Sequence, residues 1–238
     1  MMEQIRENIG VIREKIRAAA AAAGRDEKDI ILVGASKMND SAACRAAIAA
    51  GIDALGENRV QEMTQKLGEG AYEGAPLHFI GHLQRNKVRQ VVGKVELIHS
   101  VGSIALLNEI DAQAQKLGIR QDILLEVNVG AEDSKSGFAP EEVVPLVQKF
   151  SGFPNIRLRG LMAIPPICEK PGANDKFFQE MCNLSVDITA KKDDNVCVDI
   201  LSMGMSGDFE DAVRCGSTMI RLGTAIFGPR DYTKSHQA

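Results

Sequence analysis

The chain has 238 residues, of which 45% are hydrophobic and 25% charged, the ordinary composition of a soluble globular protein. Its formal charge of −4 argues against general binding to nucleic acids or anionic membranes, which requires a basic surface. The five cysteines are odd in number and form no C-x-x-C pair, which disfavours a disulfide framework or a zinc site and favours a reducing, cytoplasmic compartment.

The first segment, about 2–23, predicts an amphipathic helix ahead of the first strand. It places Ile5, Ile9, Ile12 and Ile16 at helical spacing with charged residues between them. Because it is charged throughout, it lacks the apolar core of a signal peptide. No run of about 20 apolar residues follows that would predict a membrane span.

After this helix, short apolar runs alternate with helix-compatible segments. The runs predicted as strands lie near 30–36, 53–56, 77–81, 96–99, 122–129, 156–162, 197–202 and 218–222. The helices predicted between them lie at 41–50, 58–68, 84–93, 103–117, 141–150, 174–191 and 207–215.

This alternation predicts an α/β fold with a parallel sheet. Eight strands in a chain of this length favour a single (β/α)8 TIM barrel over about 30–228, with an extra N-terminal helix and a short tail at 229–238. We expect one domain covering 1–238. An open doubly wound sheet stays an alternative, because the runs at 53–56 and 156–162 are weak strands. The loop at 164–173 is the segment that we expect to be most mobile.

Residues that end or follow the predicted strands are the candidate site residues, because such barrels form their active sites at the carboxyl ends of the strands. Lys37 follows the first strand, Asn58 the second and His82 the third. The other candidates belong to the sixth, seventh and eighth strands: Met162, Ser202, Met203, Ser206, Arg221, Gly223 and Thr224.

The loops after the last two strands predict a phosphate site. SMGMSGD and RLGTAIFG each combine glycine with a hydroxyl side chain, and the first directly precedes a predicted helix. Barrels of this kind frequently bind phosphate with these two loops and a helix N-terminus. Either loop alone would be an ordinary turn.

Lys37, expected across the barrel mouth from that phosphate site, indicates covalent capture of an aldehyde. Lysine forms Schiff bases with carbonyl compounds and with pyridoxal phosphate when its surroundings lower the amine pKa. The alternative is a lysine at a strand end that extends into solvent.

Arg221 ends an apolar strand, where its guanidinium needs a partner. If the ligand is pyridoxal phosphate, Arg221 donates a hydrogen bond to the pyridine nitrogen, which then stays unprotonated and makes the ring a weaker electron sink. That pattern suits racemase-like or non-catalytic use of the cofactor. The alternative partner is a carboxylate such as Glu126.

The chain resembles the pyridoxal phosphate homeostasis proteins, whose fold is the alanine racemase N-terminal barrel. The matching stretches run from residue 31 to 228: ILVGASK, ALGENRVQE, LHFIGHLQRNK, NVGAEDSKSGF, RGLMAIPP, LSMGMSGDFEDAV and GSTMIRLGTAIFG. The chain departs from the family pattern at Met38-Asn39-Asp40, where a second lysine and a proline are usual, and at Gly207.

The resemblance implies a role for each candidate residue. Lys37 carries the cofactor as an internal aldimine, Arg221 faces the pyridine nitrogen, and Ser206, Gly223 and Thr224 hold the phosphate. Asn58 and Met203 match positions that line the cofactor, and His82 and Met162 lie near it. Ser202, at the end of the seventh strand, completes the candidate set. Lys135 is a candidate secondary contact.

The resemblance also implies a protein that binds pyridoxal 5′-phosphate and acts in intracellular vitamin B6 homeostasis, without robust turnover. We expect a cytoplasmic monomer, with apo-enzymes that use pyridoxal phosphate as candidate recipients and no metal, nucleic acid or membrane as partner.

Two enzymatic readings stay open. A pyridoxal phosphate-dependent racemase needs a second base, which relatives take from a tyrosine in another domain. Only Tyr72 and Tyr232 occur here, and neither follows a predicted strand. A phosphosugar isomerase or aldolase fits the phosphate loops but explains Arg221 less well.

Overall fold

The computed structural model describes residues 2–130, 136–166, 170–189 and 194–229. Eight parallel strands pair in chain order, and β1 pairs with β8 to close a barrel. The strands are β1 Ile31–Ala35, β2 Ala54–Glu57, β3 Leu77–Phe79, β4 Leu97–Val101, β5 Gln121–Val127, β6 Ile156–Ala163, β7 Val196–Ser202 and β8 Met219–Leu222. The closed barrel confirms the predicted fold class, and the open sheet is wrong.

Helices follow most of the strands and form an outer layer. They are α1 Met2–Ala22, α2 Ser41–Ala49, α3 Val60–Gly68, α4 Ile104–Leu117, α5 Pro140–Val147, α6 Asp175–Thr189, α7 Phe209–Arg214 and α8 Thr224–Phe227. Short 3-10 helices occupy Glu27–Asp29, Arg85–Gln90 and Phe150–Gly152. Among the described helices, none is long and apolar enough to cross a membrane.

The helix predicted at 84–93 is the main error in the element assignment. The connection between β3 and β4 contains only the 3-10 helix Arg85–Gln90. Val88, Val91 and Val92 are β-branched and lose side-chain freedom in an α-helix. Gly93, which has a φ of +76°, ends the segment in a left-handed turn.

Helix α1 packs against α2, α7 and α8, beside the seam where the barrel closes. Its four predicted core isoleucines are all buried: Ile5, Ile9, Ile12 and Ile16. The periodicity of the first segment therefore correctly identified the face that covers the seam.

The strands divide the core into two layers, because successive side chains of a strand point to opposite faces. One cluster fills the barrel interior: Val33, Ala54, Leu97, Leu124, Met162, Ile200 and Met219. The second, larger cluster lies between the barrel and the helices and includes Leu32, Leu55, Phe79, Ile98 and Ile220. The face to which a residue belongs thus determines whether its side chain can reach the barrel mouth.

Part of the loop at 164–173, residues 167–169, lies outside the described residues, as do Lys135 and Tyr232.

Gly160 allows close contact between β6 and β7, and replacing it with alanine should destabilise the fold. Its φ is +146°, and a Cβ built there would lie 1.8 Å from the carbonyl oxygen of Ile200. We expect Gly160→Ala to lower the free energy of unfolding by about 3 kcal/mol or more, measured by urea denaturation.

Gly10→Ala is the matched control. Gly10 lies inside α1, and a Cβ at this position would meet no other atom within 4 Å. Alanine should therefore raise the free energy of unfolding by about 0.5–1 kcal/mol through helix propensity. Equal stabilities for the two variants would contradict the assigned β6–β7 packing.

Candidate functional site

Lys37 lies just beyond the carboxyl end of β1, on the face of that strand that points into the barrel. It has the same parity as Val33, which belongs to the interior cluster, and its side chain is half-buried. Ser36 has the opposite parity, is fully buried, and contacts the helix layer. The strand thus directs Lys37 to the mouth and Ser36 to the supporting layer.

A buried ionic network supports the turn that carries Lys37. Glu57, which is fully buried, accepts hydrogen bonds at its Oε1 from Lys66 Nζ at 2.6 Å, Ser36 Oγ at 2.6 Å and Tyr72 OH at 3.0 Å. Lys66 Nζ also donates to the carbonyl oxygen of Ser36 at 2.8 Å. One lysine from α3 therefore holds both a carboxylate at the end of β2 and the main chain next to Lys37.

Tyr72 acts in this network as a hydrogen-bond donor. Burial, and then the charge of Glu57, raise the pKa of its hydroxyl. Tyr72 therefore stays protonated in the layer between barrel and helices and does not face the mouth.

The residues after Lys37 form a left-handed turn that ends at a helix cap. Met38 has a φ of +62°, and its N–H donates to Glu62 Oε2 at 2.8 Å. A non-glycine residue in this region costs roughly 1–2 kcal/mol, which the hydrogen bond offsets. Asp40 is the N-cap of α2 and accepts from the N–H of Ala43. The cap accounts for aspartate at position 40, whereas nothing in the structure explains methionine at position 38.

Arg221 is buried inside the barrel on β8, where it pairs in register with Val33 of β1. It donates from Nη1 to Ser202 Oγ at 2.5 Å and from Nη2 to the carbonyl oxygen of Ala163 at 3.0 Å. Burial lowers its pKa to about 10, and the carboxylates of Glu126 and Asp208 act in the opposite direction.

Two expectations about Arg221 need correction. Among the described ion pairs none joins Arg221 to Glu126, so the carboxylate that was the alternative partner acts only at longer range. Lys37 does not face the β8 residues across the mouth either. Barrel closure makes β1 and β8 neighbours, so Lys37 and Arg221 lie on adjacent strands.

The loops after β7 and β8 meet at the mouth. The hydroxyls of Ser206 and Thr224 lie 3.5 Å apart and are exposed, and half-buried Gly223 precedes Thr224. The N–H of Arg221 donates to the carbonyl oxygen of Gly204 at 3.1 Å, which ties the two loops together. Gly204 has a φ of +96°, and a Cβ there would lie 2.6 Å from the Cβ of Ala212.

Three more candidates face the barrel interior or its rim. Met162 and Ser202 are buried and are paired in register on β6 and β7. Asn58 has the same parity as the interior residue Ala54 and is half-buried. Its Oδ1 is buried and accepts no hydrogen bond from the described residues.

Two candidates lie apart from this group. Met203 is fully buried in the layer between barrel and helices, so its side chain does not line the barrel interior. His82 is exposed at the end of β3, contacts Ser136 Oγ at 3.2 Å, and lines a cleft with Glu126. Burial raises the pKa of the Glu126 carboxyl in that cleft.

Sequence reasoning missed two sets of polar residues. One is the network of Glu57, Lys66 and Tyr72 behind Lys37. The other is a pair of buried histidines, His78 and His99, whose ring nitrogens lie 3.1 Å apart inside the barrel. The available signal was strand parity: His78 and His99 fall within apolar runs, and Glu57 directly follows one.

Comparison with known proteins identifies the family to which this fold belongs. The family model described as alanine racemase, N-terminal domain, matches residues 2–231. The pyridoxal phosphate homeostasis protein of Aquifex aeolicus is 41% identical over 226 residues, which cover 95% of this chain and 98% of that protein.

Solved structures include both a close relative and more distant ones. PipY of Synechococcus elongatus, determined with PLP bound, is 30% identical with a TM-score of 0.80, covering 94% of this chain and 100% of PipY. Alanine racemase of Clostridium difficile is 17% identical with a TM-score of 0.70, covering 94% of this chain and 56% of the racemase, and shares the fold.

Removing Lys66 should destabilise the protein strongly, because Glu57 would remain buried without its cation. We expect Lys66→Met to lower the free energy of unfolding by about 3–5 kcal/mol, measured by urea denaturation. The matched control is Lys15→Met, which removes the surface pair with Glu210 and should cost less than about 1 kcal/mol. A similar small loss in both variants would contradict the structural role of Lys66.

Proposed function

This chain belongs to the pyridoxal phosphate homeostasis proteins, and from that premise we propose that it binds pyridoxal 5′-phosphate reversibly and buffers it in intracellular vitamin B6 homeostasis. The observation that carries the proposal is the grouping of Lys37, Arg221, Ser206 and Thr224 on one side of the barrel mouth, where β1 meets β8 and the loop after β7.

The residues present fit the chemical parts of this cofactor. An aldehyde calls for a primary amine, which the half-buried Lys37 supplies. A pyridine nitrogen calls for a donor, which the buried Arg221 supplies. A phosphate calls for hydroxyl and main-chain donors, which Ser206, Gly223 and Thr224 supply. The unpaired Asn58 Oδ1 is one further acceptor at the rim.

When bound, the cofactor supplies an aldehyde carbon that a lysine amine can capture covalently. Lys37 is held for this role by the main-chain contacts on either side of it, from Lys66 to Ser36 and from Met38 to Glu62. These contacts fix the turn before any ligand arrives, so less conformational entropy is lost on binding.

Arg221 favours holding the cofactor over carbanion chemistry. Its pKa, although lowered to about 10, keeps it protonated at neutral pH, and a guanidinium has no acceptor. A ring nitrogen that faces it must accept a hydrogen bond and stays unprotonated. An unprotonated ring withdraws electrons weakly, whereas strong carbanion stabilisation usually requires a carboxylate partner.

Racemase activity is the second candidate function, because alanine racemase shares the fold. Two-sided proton transfer needs a base on each face of the substrate. Tyr72 is the one tyrosine in the described part of the chain, and it is buried against Glu57 behind the barrel. We therefore propose a carrier without robust turnover. Alanine racemisation by the loaded protein at about 1 per second or more would favour the enzyme instead.

The same proposal covers the cellular setting. We infer one cytoplasmic domain, active as a monomer, whose recipients are apo-enzymes that use pyridoxal phosphate. The exposed position of Ser206 and Thr224 supports delivery to recipients, because a phosphate held there stays accessible to solvent and can leave.

Replacing Lys37 should abolish covalent attachment. Wild-type protein incubated with pyridoxal phosphate and reduced with borohydride should carry one cofactor on the peptide that contains Lys37, identified by mass spectrometry. Lys37→Arg should carry none, because a guanidinium does not condense with the aldehyde under these conditions. Lys94→Met, which changes an exposed lysine, should match the wild type. A wild-type adduct on another lysine would refute the assignment.

The hydroxyl pair should contribute affinity only when the ligand carries a phosphate. We expect the double variant Ser206→Ala, Thr224→Val to bind pyridoxal phosphate about 100- to 10,000-fold more weakly, because hydrogen bonds to a charged group contribute about 1.5–3 kcal/mol each and two are removed. Its affinity for pyridoxal should stay within about 2-fold of the wild type. Equilibrium dialysis with both ligands measures this difference, and an equal loss for both would place the phosphate elsewhere.

A further inference from the structure

A row of three hydrogen bonds crosses the barrel interior from β8 to β3. Arg221 Nη1 lies 2.5 Å from Ser202 Oγ, which lies 3.1 Å from His99 Nδ1. The Nε2 of His99 lies 3.1 Å from the Nδ1 of His78. All four residues are buried, with at most 5% of their surface exposed.

The direction of these bonds follows from the number of protons that each group carries. Arg221 has only donors, so Ser202 Oγ accepts from it. The single hydroxyl proton of Ser202 then goes to His99 Nδ1, so His99 carries its proton on Nε2 and donates to His78 Nδ1. His78 in turn carries its proton on Nε2.

The opposite direction leaves a proton without a partner. If His99 donated from Nδ1, Ser202 Oγ would accept two hydrogen bonds, and its own proton would point to no acceptor among the described residues. A buried hydroxyl without an acceptor is unfavourable. The one-way arrangement pairs every proton between Arg221 and His78. The remaining proton, on His78 Nε2, lies beyond the row, on a residue that also lines a cavity with Asp53 and Glu96.

Burial, and at His99 also the neighbouring charge of Arg221, keeps the rings of His78 and His99 neutral. Burial lowers the pKa of His78 to about 4, and burial with the neighbouring His78 and Arg221 holds the pKa of His99 well below its usual value. In the described part of the chain no group of three or more His, Cys, Asp or Glu side chains could hold a metal ion.

We propose that His99 is a positioning residue for Arg221: acting through Ser202, it fixes a one-way chain of hydrogen bonds that ends at His78, with both histidines as Nε2–H tautomers. The chain and the contact with Ala163 O hold the guanidinium at two points, so its remaining donors keep one orientation. The effect on cofactor binding rests on the proposed function, whereas the row of hydrogen bonds does not.

Nitrogen-15 NMR of the ligand-free protein tests the chain directly. With histidine labelled at both ring nitrogens, we expect His78 and His99 to show the neutral Nε2–H pattern from pH 8 to about pH 5.5. Free labelled histidine in the same buffer is the reference for an imidazole in solvent. An Nδ1–H tautomer or a charged ring at His99 would overturn the inference, whatever the protein binds.

A double-mutant cycle tests the positioning role. His99→Leu should weaken pyridoxal phosphate binding about 3- to 10-fold, the range expected for one misplaced hydrogen bond. His99→Asn, whose amide oxygen can accept from Ser202, should recover most of the loss. In an Arg221→Leu background, His99→Leu should have little further effect.

The cycle separates positioning from a general structural effect. If the losses of binding free energy in His99→Leu and Arg221→Leu simply add, His99 does not act through Arg221. The same conclusion follows if His99→Asn binds pyridoxal phosphate no more tightly than His99→Leu. Failure of the wild-type protein to bind pyridoxal phosphate would instead refute the proposed function. The NMR result would still show whether the hydrogen bonds run one way from Arg221 to His78.

Discussion

Pairing of the first strand with the last is the constraint on which the rest of the site depends. It brings Val33 of β1 into register with Arg221 of β8, although the two residues lie near opposite ends of the chain. The lysine just beyond β1 and the loop that follows β8 become neighbours only through this closure. Helix α1 covers the seam with a row of isoleucines and packs against α8, the helix that begins at Thr224.

The barrel stabilises its mouth with buried charges on both sides of the strand wall. Outside it, Glu57 and Lys66 hold the turn of Lys37. Inside it, Arg221 is surrounded by neutral hydrogen-bond partners, Ser202 and Ala163 O, with the histidine pair beyond. Burying such groups is unfavourable unless their hydrogen bonds are satisfied. Their presence is explained if the mouth has to be rigid before the ligand binds.

Much of the fold could be predicted from the sequence because its signals are local. Each strand is a short apolar run, and α1 shows helical periodicity, so the eight strands fell close to their predicted positions. The segment at 84–93 was misassigned because its apolar residues have helical spacing but are mostly valines. Lys37 and Arg221 could be placed at the mouth from the strand ends alone.

The supporting contacts could not be predicted, because they depend on register between strands. His78 and His99 occur in separate apolar runs, and only the pairing of β3 with β4 brings their rings together. Lys37 and Arg221 likewise lie on neighbouring strands because the barrel closes, which neither sequence motif indicates by itself. Met203 was assigned to the mouth by resemblance, although its parity opposite to Ser202 points it into the outer layer.

A crystal structure of the protein grown with pyridoxal phosphate tests the central claim most directly. We expect the cofactor at the β1–β8 side of the mouth, with its phosphate at Ser206 and Thr224, its ring nitrogen at Arg221 and its carbonyl carbon bonded to Lys37 Nζ. Cofactor bound only in the cleft between His82 and Glu126, with Lys37 unmodified, would contradict this claim.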